Sequence, residues 1–587
     1  MEREFQDKSS NAVDEEKWVY DSSLDYKGRV PLRASTGVWK ASLFIIALEL
    51  SERLSFFAIN MNLVTYFTNI LHQDVKTAAK NVNYWLGVTT MMPLMGGLIA
   101  DAYLGRFLTV VVSSIFYLMA LILLIMSQFV QSLKPYHTEL HKAIFFTAIY
   151  MISIATGGHK PSLESFGADQ FHDDHPEERK QKMSYFNLWS FSLCGGLLLG
   201  VTVVVYVQDN VSWGIAVVIL TSAMAITTLV FLMGRPFYRY RAPEGSPFIP
   251  MLQVLVAALA KRNLPYPSDS SQLYEVPKSQ KGNKRLLQHT RKLRFLDKAA
   301  IIETYEENNI PSTEKPINPW RLTTVTEVES MKLLINMVPI WLSSLMFGVC
   351  MAQTSTFFIK QGSVMNRKLA HNFKIPPASM SALNATAALI TILIYDRILV
   401  PLLRRVTRNE RGISILQRVG FGMVLSMLAM GTAAIVERKR LGTVEKEAVD
   451  ATPMSVFWLA PQHMIFGVAD AFTLVGLQEY FYDQVPDAMR SLGIAFYLSV
   501  LGASNFLSSL LIYAVDHVTQ KGGRSGWFAK DLNKSRLDCF YWLLTVLSGI
   551  NFSVYVLLAT RYSYKKFEKR MGATADSCEG DDLELKI

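Results

Sequence analysis

Three ionisable side chains stand close together inside an apolar stretch near the beginning of the chain. The stretch reads Ala47-Leu-Glu49-Leu-Ser-Glu52-Arg53, so Glu49, Glu52 and Arg53 share one face of a helix. Charged groups inside a bilayer cost at least a few kcal/mol each unless they are paired or hydrated. A carboxyl group that takes up a proton loses its charge and releases its cationic partner, so this face predicts proton-linked rearrangement.

A lone lysine, Lys160, ends a second apolar stretch and needs an acid partner for the same reason. Glu49 and Glu52 are available. Two interpretations remain open: a static internal ion pair that holds two helices together, and a titrating pair that faces an aqueous cavity. We favour the titrating pair, which a proton-coupled transporter needs.

The elements that must carry these side chains are membrane-spanning helices. Of the 587 residues, 50% are hydrophobic and 18% are charged, against roughly 25% charged in soluble proteins. Runs of about 20 apolar residues, the length that crosses a bilayer, occur about twelve times. They are 42–70, 83–104, 108–130, 143–162, 185–207, 213–234, 332–354, 377–400, 412–436, 455–478, 491–515 and 538–560.

These runs predict an all-α polytopic membrane protein with twelve transmembrane helices in two six-helix halves. Basic residues are more frequent in the segments that lie inside when the N-terminus is cytosolic. The predicted organisation is a cytosolic N-terminal tail (1–41), a first half (42–234), a cytosolic linker (235–331), a second half (332–560) and a cytosolic C-terminal tail (561–587). The linker contains a short amphipathic piece at Pro250–Leu259.

Several function classes lack support in the sequence. There is no Walker loop, serine-nucleophile elbow or HExxH motif, so ATP-driven transport and hydrolysis are disfavoured. The four cysteines form no CxxC pair, and the cluster at 172–182 is interpreted as a solvated turn, so no metal site is expected. No basic stripe with interleaved aromatic residues indicates nucleic-acid binding.

The segment after the second span, Gly96–Arg106, contains two glycines that permit close helix approach. Asp101 and Arg106 flank Gly105 there and can clasp a neighbouring helix end. A degenerate copy, Tyr395-Asp396-Arg397, follows the eighth span. Matching segments in the two halves indicate a parallel internal repeat.

Taken together, the motifs resemble the plant nitrate/peptide transporter family, which is part of the proton-coupled oligopeptide transporters within the major facilitator superfamily. The resemblance covers roughly 35–565. It rests on the following motifs: Glu49-x-x-Glu52-Arg53, the Gly96–Arg106 segment, Gly157-Gly-His-Lys160-Pro161, Ser165-Phe-Gly-Ala-Asp169-Gln170-Phe171, Tyr185-Phe-Asn187-Leu-Trp189 and Phe373-Lys-Ile-Pro376-Pro377-Ala.

The resemblance implies a central cavity and proton-driven transport by alternating access, with the proton as coupling ion and no other cofactor. It makes Glu49, Glu52, Arg53 and Lys160 the proton-coupling group, and lets Arg53 or Lys160 meet the anionic end of a substrate. Tyr185 and Asn187 would then lie near the cavity, although a packing role for them is an equal alternative. Asp101, Gly105 and Arg106 would form a conformational loop.

Two positions depart from the family pattern. A histidine that reads nitrate in some members is replaced by Met351, in Cys350-Met351-Ala352-Gln353. An acid on the tenth span is Asp470 where glutamate is frequent, and it can hold a substrate amine or serve as a packing acid. We therefore assign Met351, Gln353 and Asp470 to the substrate site.

The expected function is symport of a small nitrogen-containing anion or zwitterion: nitrate, a di- or tripeptide, or a related plant metabolite. The alternative is a ligand sensor that signals through the linker with little flux, and an enzyme is disfavoured. The expected partners are a small-molecule substrate and the lipid bilayer. The plasma membrane is the expected location, with the vacuolar membrane as the alternative.

Overall fold

The computed structural model describes residues 17–132, 138–172, 175–243, 245, 248–266, 273–275, 287, 289–302, 318–370, 373–407, 413–446, 454–485, 490–520, 526–529 and 531–562. Residues 1–16 of the predicted N-terminal tail, and all of the predicted C-terminal tail except its first two residues, lie outside these ranges.

Seven helices precede the predicted linker in the described part of the chain. They are α1 (Val38–Asn69), α2 (Val75–Ile99), α3 (Arg106–Ser132), α4 (Thr138–Ala168), α5 (Pro176–Leu199), α6 (Val205–Asn210) and α7 (Trp213–Met233). Polar residues cap the beginnings of three of them, α2, α5 and α7. The side chain of Asp74 accepts a hydrogen bond from the backbone N–H of Thr77 at α2, and that of Ser212 accepts one from Gly214 at α7.

Nine further helices follow α7 in the described part of the chain, and the first two of them begin in the predicted linker. They are α8 (Phe248–Ala260), α9 (Val325–Ala352), α10 (Phe357–Ser363), α11 (Ser381–Ile394), α12 (Val400–Thr407), α13 (Ile415–Lys446), α14 (Ala460–Gln484), α15 (Arg490–Gln520) and α16 (Leu537–Arg561). Two short strands, β1 (Lys368–Ala370) and β2 (Phe373–Lys374), pair in antiparallel fashion between α10 and α11.

Nine helical stretches among the described residues are long and apolar enough to cross a membrane. They are Arg106–Phe129, Glu139–Ala168, Pro176–Asn210, Trp213–Met233, Val325–Ser363, Pro377–Arg405, Ile415–Glu445, Gly493–Gln520 and Leu537–Arg561. The other three predicted spans coincide with α1, α2 and α14, which are long enough but more polar. The helical membrane fold is thus confirmed, and the crossing of the bilayer by those three helices stays a prediction.

The helices α2 and α11 each end in a π-helical segment, at corresponding places in the two halves. These segments are Ala100–Leu104 and Tyr395–Leu399. The predicted loop at Gly96–Arg106 is therefore helical as far as Leu104, and Gly105 ends the helix with φ +77°. That φ favours glycine, because a side chain at this position would be strained. The matching π-helical segments are what a structural repeat would produce.

Glycines let α1 approach α5 closely beside the charged residues of α1. A Cβ atom on Gly196 would lie 2.7 Å from the Cβ atom of Arg53 and 3.0 Å from the backbone nitrogen of Leu54. Between α2 and α4, a Cβ atom on Gly157 would lie 2.6 Å from the Cβ atom of Met92. Larger residues at these positions would push the helices apart.

The chain divides into two units. The larger comprises residues 1–246, 339–483 and 490–561, and the smaller comprises 247–338, 484–489 and 562–587. In the smaller unit, α8 packs on a 3₁₀ turn, Arg294–Ala300, through a cluster that includes Val254, Ala257 and Leu296. The predicted amphipathic piece of the linker is therefore a helix with a core of its own.

Candidate functional site

Helix α1 carries a buried cluster of two carboxylates and one guanidinium. Glu49, Glu52 and Arg53 are 1%, 0% and 3% exposed. The Arg53 Nε atom lies 3.3 Å from Glu49 Oε1, and Arg53 Nη2 is in direct contact with Glu52 Oε2. The helical spacing of the three residues thus brings them together as the sequence predicts, with one cation shared by two acids.

Neighbouring side chains hold this cluster in place. The hydroxyl of Thr156, on α4, donates a hydrogen bond to Glu52 Oε1 at 3.3 Å. The Arg53 guanidinium carbon lies 5.3 Å from the ring centre of Phe56, within cation–π range. These contacts hold Glu52 and Arg53 in their positions within the cluster.

The lysine of α4 interacts with the cluster at longer range than an ion pair. Lys160 is partly exposed, and it interacts electrostatically with Glu49, Glu52 and Arg53. Among the described residues, the direct ion pairs of Glu49 and Glu52 go to Arg53. Lys160 therefore interacts electrostatically with these acids but does not form the predicted direct ion pair with either of them.

A further acid, Glu164, belongs to the same group and was missed in the sequence. It interacts electrostatically with Lys160 and Arg53, and it acts on Glu49. It lies four residues after Lys160 on α4, and this i, i+4 spacing on one helical face is the signal that identifies it. When all groups are ionised, three carboxylates face two cations.

The predicted residues on α5 differ in their surroundings. Tyr185 is fully buried, and its hydroxyl has no hydrogen-bond partner in the described part of the chain. Electrostatic interactions link it to Glu49 and Glu164. Asn187, two residues later, is exposed. Tyr185 therefore lies beside the charged cluster, while Asn187 lies on another side of the helix.

The second half contributes a separate carboxylate. Asp470, on α14, accepts a hydrogen bond from Nδ2 of Asn384 at 3.1 Å, and its other oxygen is buried without a partner among the described residues. Asp470 also interacts electrostatically with Tyr497 on α15. Asn384 was not identified from the sequence, since a single asparagine on an apolar span carries no distinguishing pattern.

Two residues that were predicted for the substrate site, Met351 and Gln353, lie at the end of α9 and directly after it. Met351 is partly buried, in contact with the hydrophobic core of the second half. Gln353 is fully buried, and its amide nitrogen donates to Val349 O at 2.7 Å and to Ser508 Oγ at 3.2 Å. These hydrogen bonds give Gln353 a structural function between α9 and α15.

The predicted conformational segment forms a clasp at the end of α4. The Arg106 Nη1 atom donates to both carboxylate oxygens of Asp169, at 2.7 and 2.6 Å, and Arg106 Nε lies 3.2 Å from Asp101. Arg241 approaches Asp169 at 3.7 Å. Asp169, from the Ser165–Phe171 motif, is thus the helix-end partner that Arg106 binds.

One buried group has the ligand types of a metal site. Ligand atoms of Glu49, Glu52 and His159 lie within 4.8 Å of one another. The guanidinium of Arg53 already pairs with both carboxylates, so a cation is built into the cluster. This group is therefore a set of two acids paired with a fixed cation.

Comparisons with known proteins agree with this architecture. The profile described as "PTR2: POT family" matches residues 107–528. The chain is 58% identical over 580 residues to the NRT1/PTR FAMILY 5.7 protein of Arabidopsis thaliana, covering 97% of this chain and 96% of that protein. It is 59% identical over 566 residues to NRT1/PTR FAMILY 5.6 of the same plant, covering 95% and 97%.

Solved structures show the same fold. The POT family transporter PepTSo matches with a TM-score of 0.67 at 17% identity, covering 89% of this chain and 98% of that one. An auto-inhibited POT family peptide transporter matches with a TM-score of 0.64 at 19% identity, covering 92% and 99%. The resemblance stated from the sequence is confirmed: this chain belongs to the POT family, a family of membrane transporters and not of enzymes.

Proposed function

We propose that the chain is a proton-coupled symporter that moves a small nitrogen-containing anion or zwitterion by alternating access. The observation that carries this proposal is the buried Glu49–Arg53–Glu52 cluster, with Lys160 and Glu164 in electrostatic range. A static structural pair needs one acid for each cation. This group has one acid in surplus, and binding of one proton makes it neutral.

The surplus charge links proton binding to movement of the helices. A dry, occluded state penalises any net charge, so the cluster favours occlusion only when a proton has been bound. Protonation of a glutamate also weakens its hold on Arg53, which can then meet the anionic end of a substrate. Lys160, which is partly exposed, offers a second cation for that end.

Asp470 supports a zwitterionic substrate in preference to nitrate. Arg53 and Lys160 provide cations on the first half, and Asp470 with Asn384 provides a carboxylate on the second. A molecule with both a carboxylate and an amine would use both. One structural relative was solved with 5-aminolevulinic acid and another with a thioalcohol-conjugated peptide. Met351 cannot donate a hydrogen bond to nitrate.

Transport into proteoliposomes tests the proposal. With an inward proton gradient, we expect accumulation of radiolabelled dialanine above the external concentration, and collapse of that accumulation with a protonophore. Glu52→Gln should abolish accumulation, because the amide can neither take up the proton nor balance Arg53. The matched control is Glu139→Gln, on α4, where the side chain is 87% exposed and the charge can be removed at little cost.

The outcomes separate transport from sensing and test the coupling role of Glu52. Dialanine binding without accumulation by the unmodified chain would favour the sensor alternative. Accumulation by Glu52→Gln equal to that of the unmodified chain would refute the coupling role.

The location, which we propose to be the plasma membrane, is tested by co-localisation of a fluorescent fusion with plasma-membrane and vacuolar-membrane markers in plant cells.

A further inference from the structure

A threonine of the predicted linker is attached to the beginning of α9 by both its backbone and its side chain. Thr290 donates two hydrogen bonds to one carboxylate, from its backbone nitrogen to Glu329 Oε1 at 2.9 Å and from its hydroxyl to Glu329 Oε2 at 2.8 Å. Its carbonyl oxygen accepts a third, from Lys332 Nζ at 2.8 Å. All three residues belong to the smaller unit, so these bonds fasten one segment of that unit to its longest helix.

The partners of Thr290 belong to a buried ion-pair network. Glu329 and Lys332 are 3% and 1% exposed. Lys332 Nζ lies 2.8 Å from Glu329 Oε1 and 2.6 Å from Asp297 Oδ1, and Asp297 Oδ2 lies 3.1 Å from His289 Nε2. Two carboxylates thus share the ammonium group of Lys332, so a further negative charge beside Glu329 would be repelled.

Thr290 itself is exposed, in contrast to the groups that it binds. Residues 289 and 290 belong to no helix or strand, so an enzyme can approach this part of the backbone. Three exposed basic residues follow: Arg291, Lys292 and Arg294. A hydroxyl beside several basic residues presents the kind of charge pattern by which protein kinases select their substrates.

We propose that Thr290 is a phosphorylation site for a protein kinase that recognises basic sequences, and that the phosphate detaches residues 289–294 from α9. The hydroxyl oxygen of Thr290 attacks the terminal phosphorus of ATP, the bond to the leaving ADP breaks, and the hydroxyl proton is released. The predicted cytosolic location of the linker places Thr290 on the side of the membrane where ATP is present.

The phosphate would act on the contact with Glu329 in two ways. The modified side chain has lost the hydrogen atom that is donated to Glu329 Oε2. It also carries a charge of about −1.5 to −2 at neutral pH, next to a buried carboxylate. Both changes oppose the contact, and the exposed cations of the same segment offer the phosphate other partners outside the network.

Mass spectrometry of the full-length protein, purified from plant cells treated with a phosphatase inhibitor, tests the modification. We expect phosphate on Thr290, and its loss when Arg291→Gln and Lys292→Gln are combined. The matched control is Arg262→Gln, which removes an exposed basic residue elsewhere in the same unit. Detection of peptides that contain Thr290 only in their unphosphorylated form would overturn the proposal.

Hydrogen–deuterium exchange of the full-length protein in nanodiscs tests the detachment. Thr290→Glu should speed exchange of the amides of residues 289–294 by about tenfold or more, because like charges a few ångströms apart repel one another. Thr290→Val removes the hydroxyl without adding charge, and it should speed exchange less. In a Glu329→Gln background, Thr290→Glu should have little further effect, because the repelling charge is gone.

Equal exchange in Thr290→Glu and Thr290→Val would show that charge at this position does not detach the segment, and would overturn that part of the proposal. Neither the phosphate measurement nor the exchange measurement depends on transport. A failure of dialanine accumulation would therefore count against the proposed function alone.

Discussion

At the scale of single residues, the balance of charge around Arg53 depends on Glu164. Without it, Glu49 and Glu52 would match Arg53 and Lys160, and the group would be neutral without a proton. With it, the ionised group carries one negative charge in excess. One side chain therefore changes the net charge of the whole cluster.

We expect Glu164→Gln to weaken coupling while preserving the fold, because glutamine has nearly the same shape and Glu164 makes no direct ion pair in the described part of the chain. A cluster that no longer binds the coupling proton loses roughly tenfold accumulation for each unit of pH gradient. Dialanine accumulation in proteoliposomes measures this loss. Exchange of dialanine across the bilayer without a gradient should persist, and Glu139→Gln should behave as the unmodified chain. Unchanged accumulation would contradict this assignment.

Asp470 gives a second expectation at the same scale. If its free oxygen receives a substrate amine, Asp470→Asn should weaken dialanine uptake by roughly 10-fold or more, the value of one charged hydrogen bond. Nitrate uptake, where present, should change less than about twofold, because nitrate offers no cation. Competition uptake assays with both substrates measure the difference. An equal loss for both substrates would make Asp470 a packing or gating residue.

At the scale of elements, the segment before α1 is folded and not a free tail. Residues Trp18 and Leu32 form an antiparallel bridge, and Leu24 bridges to Tyr240 with backbone hydrogen bonds of 2.8 and 2.9 Å. Arg241 Nη2 donates to Asp21 Oδ2 at 2.9 Å. This segment, residues 17–37, is thereby attached to the chain that follows α7.

The acidity of Asp21 makes this attachment depend on pH. Burial raises the pKa of Asp21, but hydrogen bonds from Ser23 and the pairing with Arg241 lower it by more, so that its pKa lies below the ordinary value. A carboxyl group with a lowered pKa stabilises the folded state above its unfolded pKa, and this contribution is lost as the pH falls through the folded pKa.

We therefore expect Asp21→Asn to loosen residues 17–37 by roughly 1 kcal/mol at neutral pH. Hydrogen–deuterium exchange of the backbone amides of residues 19–33, compared between the variant and the unmodified chain, measures the effect. The difference should persist at about pH 4 and disappear only at lower pH, as the pH falls through the lowered pKa of folded Asp21. A difference that stays the same from pH 7 to about pH 2 would show that the charge of Asp21 is not responsible.

At the scale of the whole molecule, polar contacts join the two halves of the larger unit. Lys76 Nζ, at the beginning of α2, lies 2.9 Å from Asp516 Oδ2, near the end of α15. The amide of Asn83 donates to Ser508 Oγ at 3.0 Å between the same two helices. In the predicted topology these contacts lie on the outer side, so alternating access requires that they open.

We expect Lys76→Ala to favour the state that is open to the outside. Loss of this partly exposed pair costs roughly 0.5–1 kcal/mol, which shifts the ratio of the two states by about two- to fivefold. Labelling by a membrane-impermeant thiol reagent, at a cysteine introduced for Ser508, measures the shift. The exchange of charges in Lys76→Asp with Asp516→Lys should restore the original labelling rate. Equal labelling in all three proteins would exclude this pair from the gate.

The sequence by itself determined the local and periodic features of this protein. Helical spacing is a property of the backbone, so the joint face of Glu49, Glu52 and Arg53 followed from their positions alone. Hydrophobic length predicted twelve spans, because the bilayer imposes a fixed thickness, and nine described helical stretches are long and apolar enough to match. The matching segments at Gly96–Arg106 and after the eighth span indicated the repeat.

The tertiary structure decided which distant groups meet. Arg53 forms ion pairs with both acids of α1. Lys160 interacts with the acids of the cluster at longer range, and Glu164 is one of them. Asp169 binds Arg106, although 63 residues separate them, and the amide nitrogen of Gln353 donates a hydrogen bond to Ser508. Such pairings depend on how helices pack against one another, and packing is set by the glycines and side-chain volumes of several helices at once. For that reason, the spacing of residues along a single helix could not predict them.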